Sequence, residues 1–303
     1  MLNHMQARLD SAETVFFNRQ LEFIKSKTYD IKFGALRANE FIPLSTEADE
    51  GSKLVTYEQF TEIGEAKFIG DNAKDSPRVD ISGVEFPRPV RWGSASYGWT
   101  VMDVKAAAMA NRNLQGRRAN VARKSVDRLM DRTAFSGAPL HGIVDGFAND
   151  SDVPITPATG NWSALTADQI IADVSTMLQA TVTATLGEER PDTLILPDAQ
   201  WALIATLPRS TQSDTTVLEF IRRAFPNLST IEPWFRFAGA GAGSVDRGIL
   251  YERSEDILTH EMPAMFQQLP VQEDGLELVV HTMASTAGNA WYYPLAGRYI
   301  DGI

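Results

Sequence analysis

The fold is decided by residues 114–149, LQGRRANVARKSVDRLMDRTAFSGAPLHGIVDGFAN. In its first part, apolar residues recur at the spacing of one helix face, at Ala122, Val126, Leu129 and Met130. Gly137 is a natural end for such a helix, because glycine readily adopts the left-handed conformation found at helix C-termini. The stretch therefore predicts a long amphipathic helix from about residue 114 to residue 137.

This helix carries an unusual local charge. Residues 103–132 contain eight Lys and Arg against three Asp, whereas the whole chain has a formal charge of -11. Two interpretations remain open: a solvated helix face with pairs such as Arg123 and Asp127, or a functional basic surface. The candidate residues of that surface are Arg117, Arg118, Arg123, Lys124, Arg128 and Arg132.

Upstream of the helix, the sequence predicts a long β-hairpin with a polar tip. Residues 53–69 have strand composition, and an extended pattern resumes at residues 84–90, broken by Pro87 and Pro89. The turn-rich tip between them includes Asp71, Asn72, Lys74, Asp75 and Arg78. A helix should begin at Thr100, because Thr100 and Asp103 have capping-box spacing.

Downstream, helices and strands follow without strict alternation. Helical patterns cover residues 164–184, 198–207 and 215–224, and strand patterns cover residues 193–196, 248–251, 276–283 and 290–295. The absence of regular βαβ repeats favours an α+β fold over a doubly wound sheet. Residues 1–45 are expected to form a short helix and then an extended arm.

Composition and motifs narrow the possible functions. The chain has no cysteine, which excludes disulfides and thiolate chemistry, and it shows no secretory signal or transmembrane segment. His260-Glu261 begins like a zinc-protease motif, but Ala264 occupies the position of the second histidine. Gly239–Ser244 lacks the lysine of a phosphate-binding loop and is expected to be a flexible surface loop. No catalytic, cofactor or metal site is predicted.

In order, these parts resemble the Hong Kong 97-type major capsid proteins of tailed phages, a fold shared with encapsulin nanocompartments. The most specific local match is TAFSG at residues 133–137, followed by HGI at 141–143 and GFAN at 146–149. PDTLILPDAQWALIATLP and TVLEFIRRAFPNL resemble the axial-domain core, and AWYYPLAGRYIDGI resembles a closing strand of the peripheral domain. The resemblance covers nearly the whole chain.

The resemblance implies an N-terminal arm at 1–45, an extended loop with flanking strands at 46–99, and a spine helix with part of the peripheral domain at 100–160. It further implies an axial domain at 161–270 and closing strands at 271–303. The extended-loop tip would contact neighbouring subunits, and the basic helix face would lie toward packaged double-stranded DNA without reading its sequence. The arm and hairpin are expected to bury little within one monomer and to need neighbours.

The implied assembly is an icosahedral virion shell of hexameric and pentameric capsomers, formed in the cytoplasm of a bacterial host. A separate scaffolding protein, a portal and a decoration protein are the implied partners, with no membrane. Some relatives crosslink their shells covalently; Lys67, Lys74 and Asn289 have the residue types needed here, although a solubilising role is the stronger interpretation of the lysines.

Other interpretations remain open from the sequence. An encapsulin-like compartment packing a cargo enzyme would use the same fold, and an unrecognised hydrolase would need a polar constellation that no motif reveals. Trp92, Tyr97 and Trp99, beside the extended loop, fit either the core or a subunit contact, since large aromatic residues dominate both.

Overall fold

The computed structural model describes residues 34–68, 78–110, 114–210, 212 and 214–303. Residues 36–303 belong to one compact unit. The helices in the described residues are α1 (Ala38–Phe41), α2 (Val101–Ala110), α3 (Leu114–Ser136), α4 (Ala167–Ala184), α5 (Asp198–Thr206) and α6 (Val217–Ala224). The fold mixes helices and antiparallel and parallel strands, so the predicted α+β class is confirmed.

The strands of the described residues fall into four sheets. Those of the first half of the chain are β1 (Leu44–Ser45), β2 (Leu54–Ile63), β3 (Asp80–Pro89), β4 (Arg91–Thr100), β5 (Ile155–Pro157) and β6 (Thr193–Leu196). Those of the second half are β7 (Thr230–Pro233), β8 (Arg247–Tyr251), β9 (Leu258–Glu261), β10 (Gln267–Gln268), β11 (Gln272–Asp274), β12 (Glu277–Thr286), β13 (Gly288–Trp291) and β14 (Arg298–Asp301).

A five-stranded sheet in the order β5-β14-β8-β6-β7 forms the centre of one half of the unit. Strand β6 is buried along its whole length because both faces of the sheet are covered. Leu194 and Leu196 point into a cluster with α4, α5 and α6, while Ile195 points into an aromatic cluster that contains Phe147 and Trp234. The strand predicted at residues 193–196 is confirmed.

The long helix α3 lies against the sheet formed by β4 and β12. Val126 and Met130 pack with Met262 and Ala284 in a small core. A Cβ at Gly93 of β4 would lie 2.6 Å from Leu129 Cδ2 and 2.7 Å from Met130 Cε, so the helix packs closely on the strand here and a larger residue would displace the ends of these two side chains. The predicted helix is therefore confirmed, with an end at Ser136 and Gly137 at φ +70°.

The predicted hairpin is confirmed in the described residues, with β2 and β3 paired antiparallel over ten residues each. The helix start at Thr100 is also confirmed. The Asp103 N–H donates to Thr100 Oγ1 at 3.1 Å, and the Thr100 N–H donates to Asp103 Oδ2 at 3.4 Å. These two reciprocal bonds make the capping box that the sequence predicts.

The end of the expected N-terminal arm needs a correction. Phe41 and Ile42 are fully buried in the core, and β1 pairs in parallel with β9, so residues 38–45 are not an unshielded arm. The interpretation failed because the apolar residues of a short helix and a two-residue strand have no periodicity to reveal their burial. Residues 1–33 lie outside the described residues, and the division into domains stays a prediction.

The C-terminal strands also differ from the prediction in detail. The strand expected at residues 290–295 ends at Trp291, because Pro294 begins a 3-10 turn. The predicted strand patterns do not include the short strands β1, β5, β7, β9, β10, β11 and β14. Strand β14 completes the five-stranded sheet between β5 and β8, so the last segment of the chain joins the central sheet.

Candidate functional surfaces

Four of the six candidate basic residues lie in one row along α3. At 100° per residue, Arg117, Lys124, Arg128 and Arg132 fall within about 80° of one another around the helix axis. The row is about 22 Å long, from the helix rise of 1.5 Å per residue. Arg117, Lys124 and Arg132 are exposed and Arg128 is half-buried. We refer to these four residues as the basic row.

The other two candidates point elsewhere. Arg118 donates to the Gly98 carbonyl on β4 and lies 3.5 Å from Asp103, so it holds the helix against the sheet. Arg123 pairs with Asp127 at 3.8 Å and lies 5.5 Å from the Phe266 ring. The six residues therefore do not form one surface. Helix periodicity would have separated them, had it been applied to the charges as well as to the apolar residues.

The positive charges of the basic row are suited to contact with an extended polyanion. In the part of the chain that the structure describes, no carboxylate lies within ion-pair distance of the Lys124 or Arg132 side chain. Val121, which is 60% exposed, lies in the middle of the row. Exposed cations spaced along a helix can contact successive phosphates without reading bases.

The hairpin presents apolar side chains to solvent on both faces. Leu54, Phe60 and Ile81 share one face, and Ile63 and Val84 share the other; all five are at least half exposed. Monomeric proteins rarely keep so many large apolar side chains exposed on one element. Of the predicted tip residues, Arg78 is described and exposed, whereas Asp71, Asn72, Lys74 and Asp75 lie outside the described residues.

The base of the hairpin is anchored to the body of the chain by Tyr57. Its ring stacks on Phe86 at 5.0 Å and meets Tyr292 edge-on at 5.0 Å. Its hydroxyl donates to the Trp291 carbonyl at 3.3 Å. Burial raises the pKa of Tyr292 to about 12, so this tyrosine remains protonated at neutral pH. The hairpin is therefore fixed at its base and exposed beyond it.

The aromatic residues of β4 were expected either in the core or at a subunit contact, and they differ in their exposure. Tyr97 and Trp99 are half-buried, 6.0 Å apart, on the side of the sheet that carries α3. Trp92, which is 48% exposed, lies on the opposite side of the same strand. Tyr97 and Trp99 are therefore partly buried on the helix side of the sheet, and Trp92 is the most exposed of the three.

The histidine of the zinc-like motif has a structural role. His260 is fully buried, with Nδ1 3.1 Å from Asn39 Oδ1 and Nε2 3.0 Å from Thr286 Oγ1. Burial lowers its pKa to about 4, so the ring is neutral at pH 7. Within the described residues, no group of three His, Cys, Asp or Glu could hold a metal ion, and no helix is long and apolar enough to cross a bilayer.

The residues considered for covalent crosslinking lie in different settings. Lys67 is exposed, and Lys74 lies outside the described residues. Asn289 is buried in the core, where its side-chain amide donates to the Ala134 carbonyl. A lysine of a neighbouring subunit could not reach this amide without opening the core, so Asn289 is not a crosslinking partner in this fold.

Sequence reasoning missed Asp150, which lies in the connector after α3. Its carboxylate accepts the Asp152 N–H at 2.9 Å. Burial raises its pKa to about 6, and the charges of Asp145 and Asp152 add to this effect while Arg88 opposes it. No sequence signal marks the residue, because aspartate is common in surface loops and burial is set by tertiary contacts.

The comparisons with known proteins agree on one fold. The model of the major capsid protein family matches residues 64–303, and no curated protein matches the chain in sequence. The capsid of Myoviridae phage XM1 superposes with a TM-score of 0.83 at 18% identity, over 95% of this chain and 99% of that one. A chain of Mycobacterium phage Bobi gives 0.63 at 12%, over 92% and 94%. A virus-like particle from Pyrococcus furiosus gives 0.52 at 13%, over 86% and 90%.

Proposed function

Because this chain belongs to the major capsid protein family, we propose that its copies close into the icosahedral head of a tailed phage or prophage around double-stranded DNA. The observation that carries the proposal is the family match. The matched residues include the second strand of the hairpin, the long helix, and the five-stranded and four-stranded sheets. The Hong Kong 97-type arrangement predicted from the sequence accords with the high similarity to the phage XM1 capsid.

The hairpin is the proposed assembly element. Phe60, Ile63 and Ile81 are exposed although their side chains favour burial, and transfer of each from water is worth about 1.5–3 kcal/mol. In a shell, a neighbouring subunit would cover them. The tip, including Asp71, Asn72, Lys74, Asp75 and Arg78, would then contact that neighbour, and hexameric and pentameric capsomers would repeat this contact at every copy.

The basic row is the proposed DNA-facing surface. The chain as a whole carries a net charge of -11, so most of its surface repels phosphate, whereas the row is a local concentration of positive charge. Contacts of this kind are weak, independent of sequence and sensitive to salt. They would retain a packaged genome without immobilising it. Arg118 and Arg123 are not part of this proposal, because they contact other residues of the chain.

The wider assembly is proposed from the family resemblance. The chain would reside in the virion after assembly in the cytoplasm of a bacterial host, with a separate scaffolding protein, a portal and a decoration protein as partners. The proposal assigns the chain no catalytic step, cofactor or metal. An encapsulin-like compartment would use the same fold, so the nature of the contents decides between the two assemblies.

Cryo-electron microscopy of particles from cells that express this chain, with and without the neighbouring phage genes, tests the proposal. We expect closed icosahedral shells, with the basic row on the inner surface and layered DNA density in the filled heads. Shells that enclose an enzyme and no nucleic acid would favour the compartment. Protein that forms no shells under either condition would contradict the proposed function.

A further inference from the structure

Leu186, which lies just after α4, combines two unfavourable features. Its φ is 55°, in the left-handed region, and its side chain is 96% exposed. The Gly187 N–H donates to the Val182 carbonyl at 2.8 Å, and the Leu186 N–H donates to the Thr183 carbonyl at 3.3 Å. These two bonds form a helix C-terminal motif in which glycine usually occupies the position of Leu186, because a Cβ is strained there. Packing within the described residues therefore gives no reason for a large apolar side chain at this position.

An apolar groove begins at the same end of α4. Its walls come from the C-terminal half of α4, from residues 190–191, and from the end of α6 with the residues that follow it. The volume of the groove is about 540 Å³, which is within the range of pockets that enclose ligands. The apolar lining residues are Leu178, Val182, Pro191, Ala224, Phe225 and Pro226. The groove can therefore accept an apolar side chain from outside the subunit.

The turn that carries Leu186 is acidic. Glu188 is exposed and Glu189 is half-buried, and both follow Leu186 closely in the chain. Burial raises the pKa of Glu189, and a hydrogen bond with Glu252 and the negative charge of Glu252 raise it further. A cation from outside the subunit would stabilise these crowded carboxylates.

The rim of the groove has the opposite charge. Arg190 lines the groove, and Arg222 and Arg223 are exposed in the last turn of α6, directly before the lining residue Ala224. In the part of the chain that the structure describes, no carboxylate forms an ion pair with any of these three side chains. The rim is therefore complementary in charge to the turn that carries Leu186. Because every copy carries both surfaces, a contact between copies satisfies both.

We propose that Leu186 of one copy inserts into the groove between α4 and α6 of a second copy, with Glu188 and Glu189 against the arginines of its rim. Burial of the leucine in the second copy accounts for a strained, exposed residue that contributes nothing to its own subunit. The contact joins two different surfaces of the chain, and contacts of this kind close into rings. The inference rests on the proposed shell function, because assembly brings the second copy into place.

Leu186→Gly tests the role of the side chain. Glycine removes the inserted group and relieves the strain at positive φ, so the dissociated subunit should unfold in urea at the wild-type midpoint or above it. The subunit concentration at half-association, measured by sedimentation velocity, should rise at least about tenfold. Ser244→Gly is the matched control, because Ser244 also has a positive φ, at 61°, and lies outside the groove and the acidic turn. This variant should leave association unchanged.

Disulfide trapping tests the position of the side chain. The chain has no cysteine, so copies with Leu186→Cys and copies with Ala224→Cys can be expressed together without other thiols in the chain. A disulfide between positions 186 and 224 then forms only between copies. Oxidation of the purified particles should give covalent dimers, and mass spectrometry should identify the 186–224 link. Ser244→Cys expressed with Ala224→Cys is the control and should give no such dimer.

The outcomes separate the inserted contact from the shell function. Unchanged association of Leu186→Gly, or particles without the 186–224 disulfide, would overturn the insertion and leave the shell function intact. A loss of association confined to particles that contain another protein would overturn the second copy as the partner. Failure of the chain to form any particle would overturn both proposals.

Discussion

Asp131 joins three segments of the fold through a single carboxylate. Its Oδ2 forms an ion pair with Arg236 Nη2 at 2.7 Å, and its Oδ1 accepts the Ala38 N–H at 2.9 Å. Burial raises the pKa of Asp131, and the Ala38 N–H and the Arg236 charge only partly offset this effect. The long helix, the first helix and the loop after β7 therefore meet at one buried charge.

Replacement of Asp131 should destabilise the subunit strongly. Asp131→Ala leaves the Arg236 guanidinium and the Ala38 N–H without their partner in the core, and we expect a loss of about 3 kcal/mol in the free energy of unfolding. Asp127→Ala is the matched control, one helical turn earlier, where an exposed pair at 3.8 Å is worth less than about 0.5 kcal/mol. Urea unfolding of dissociated subunits measures both. Equal losses would show that Asp131 does not join the segments.

Asp150→Asn should stabilise the subunit at neutral pH. The folded pKa of about 6 is above the ordinary aspartate value of 3.8, so ionisation of Asp150 opposes folding above pH 6. The amide keeps an acceptor for the Asp152 N–H and removes the buried charge, for a gain of up to about 3 kcal/mol at pH 7.5.

The stability gained by Asp150→Asn should depend on pH. Between about pH 4 and pH 6 the folded state holds a proton at Asp150 that the unfolded state releases, so the wild type gains stability as the pH falls through this window. The advantage of Asp150→Asn should therefore shrink below pH 6 and vanish near pH 4. Melting temperatures of both proteins across this range provide the measurement, and a constant difference would rule out titration of Asp150 as the cause.

Neutralising the basic row should weaken DNA binding. Lys124→Gln with Arg132→Gln removes two exposed cations that have no ion-pair partner in the described residues. If each contacts one phosphate, the slope of log affinity against log salt concentration should fall by about 2. Arg118→Gln with Arg123→Gln removes the same charge from other faces of the helix and should change the slope less. Fluorescence anisotropy with duplex DNA measures both slopes, and equal changes would mean that net charge alone matters.

Shortening the hairpin should impair assembly and spare the fold. Deletion of residues 71–78, closed by Asn-Gly, leaves the β2–β3 register and the Tyr57 anchor in place. Circular dichroism should show unchanged helical content, while electron microscopy should show few or fragile shells. Normal shells of normal stability would contradict the proposed contact of the tip with a neighbour.

The sequence predicts those parts of the fold whose stabilising contacts are local or periodic. The capping box at Thr100, the apolar stripe through Val126 and Met130, and the short apolar strand at 193–196 each have a pattern that follows from backbone geometry. Burial of Phe41 and Ile42 follows instead from β9 and the long helix, which are far away in the sequence. No local pattern could have predicted it.

The candidate surfaces were predicted less completely for the same reason. The charges of α3 are visible in the sequence, but the contacts of Arg118 with Gly98 and of Arg123 with Phe266 depend on the packing of the helix.

Sedimentation velocity is measured over a range of concentrations on the chain purified from cells that do, or do not, also express the neighbouring phage genes. We expect the 33.4 kDa subunit to give way to capsomers and to particles of megadalton mass, since shell contacts repeat at every copy. A chain that remains a 33.4 kDa monomer at every concentration under both conditions would contradict the proposed shell function.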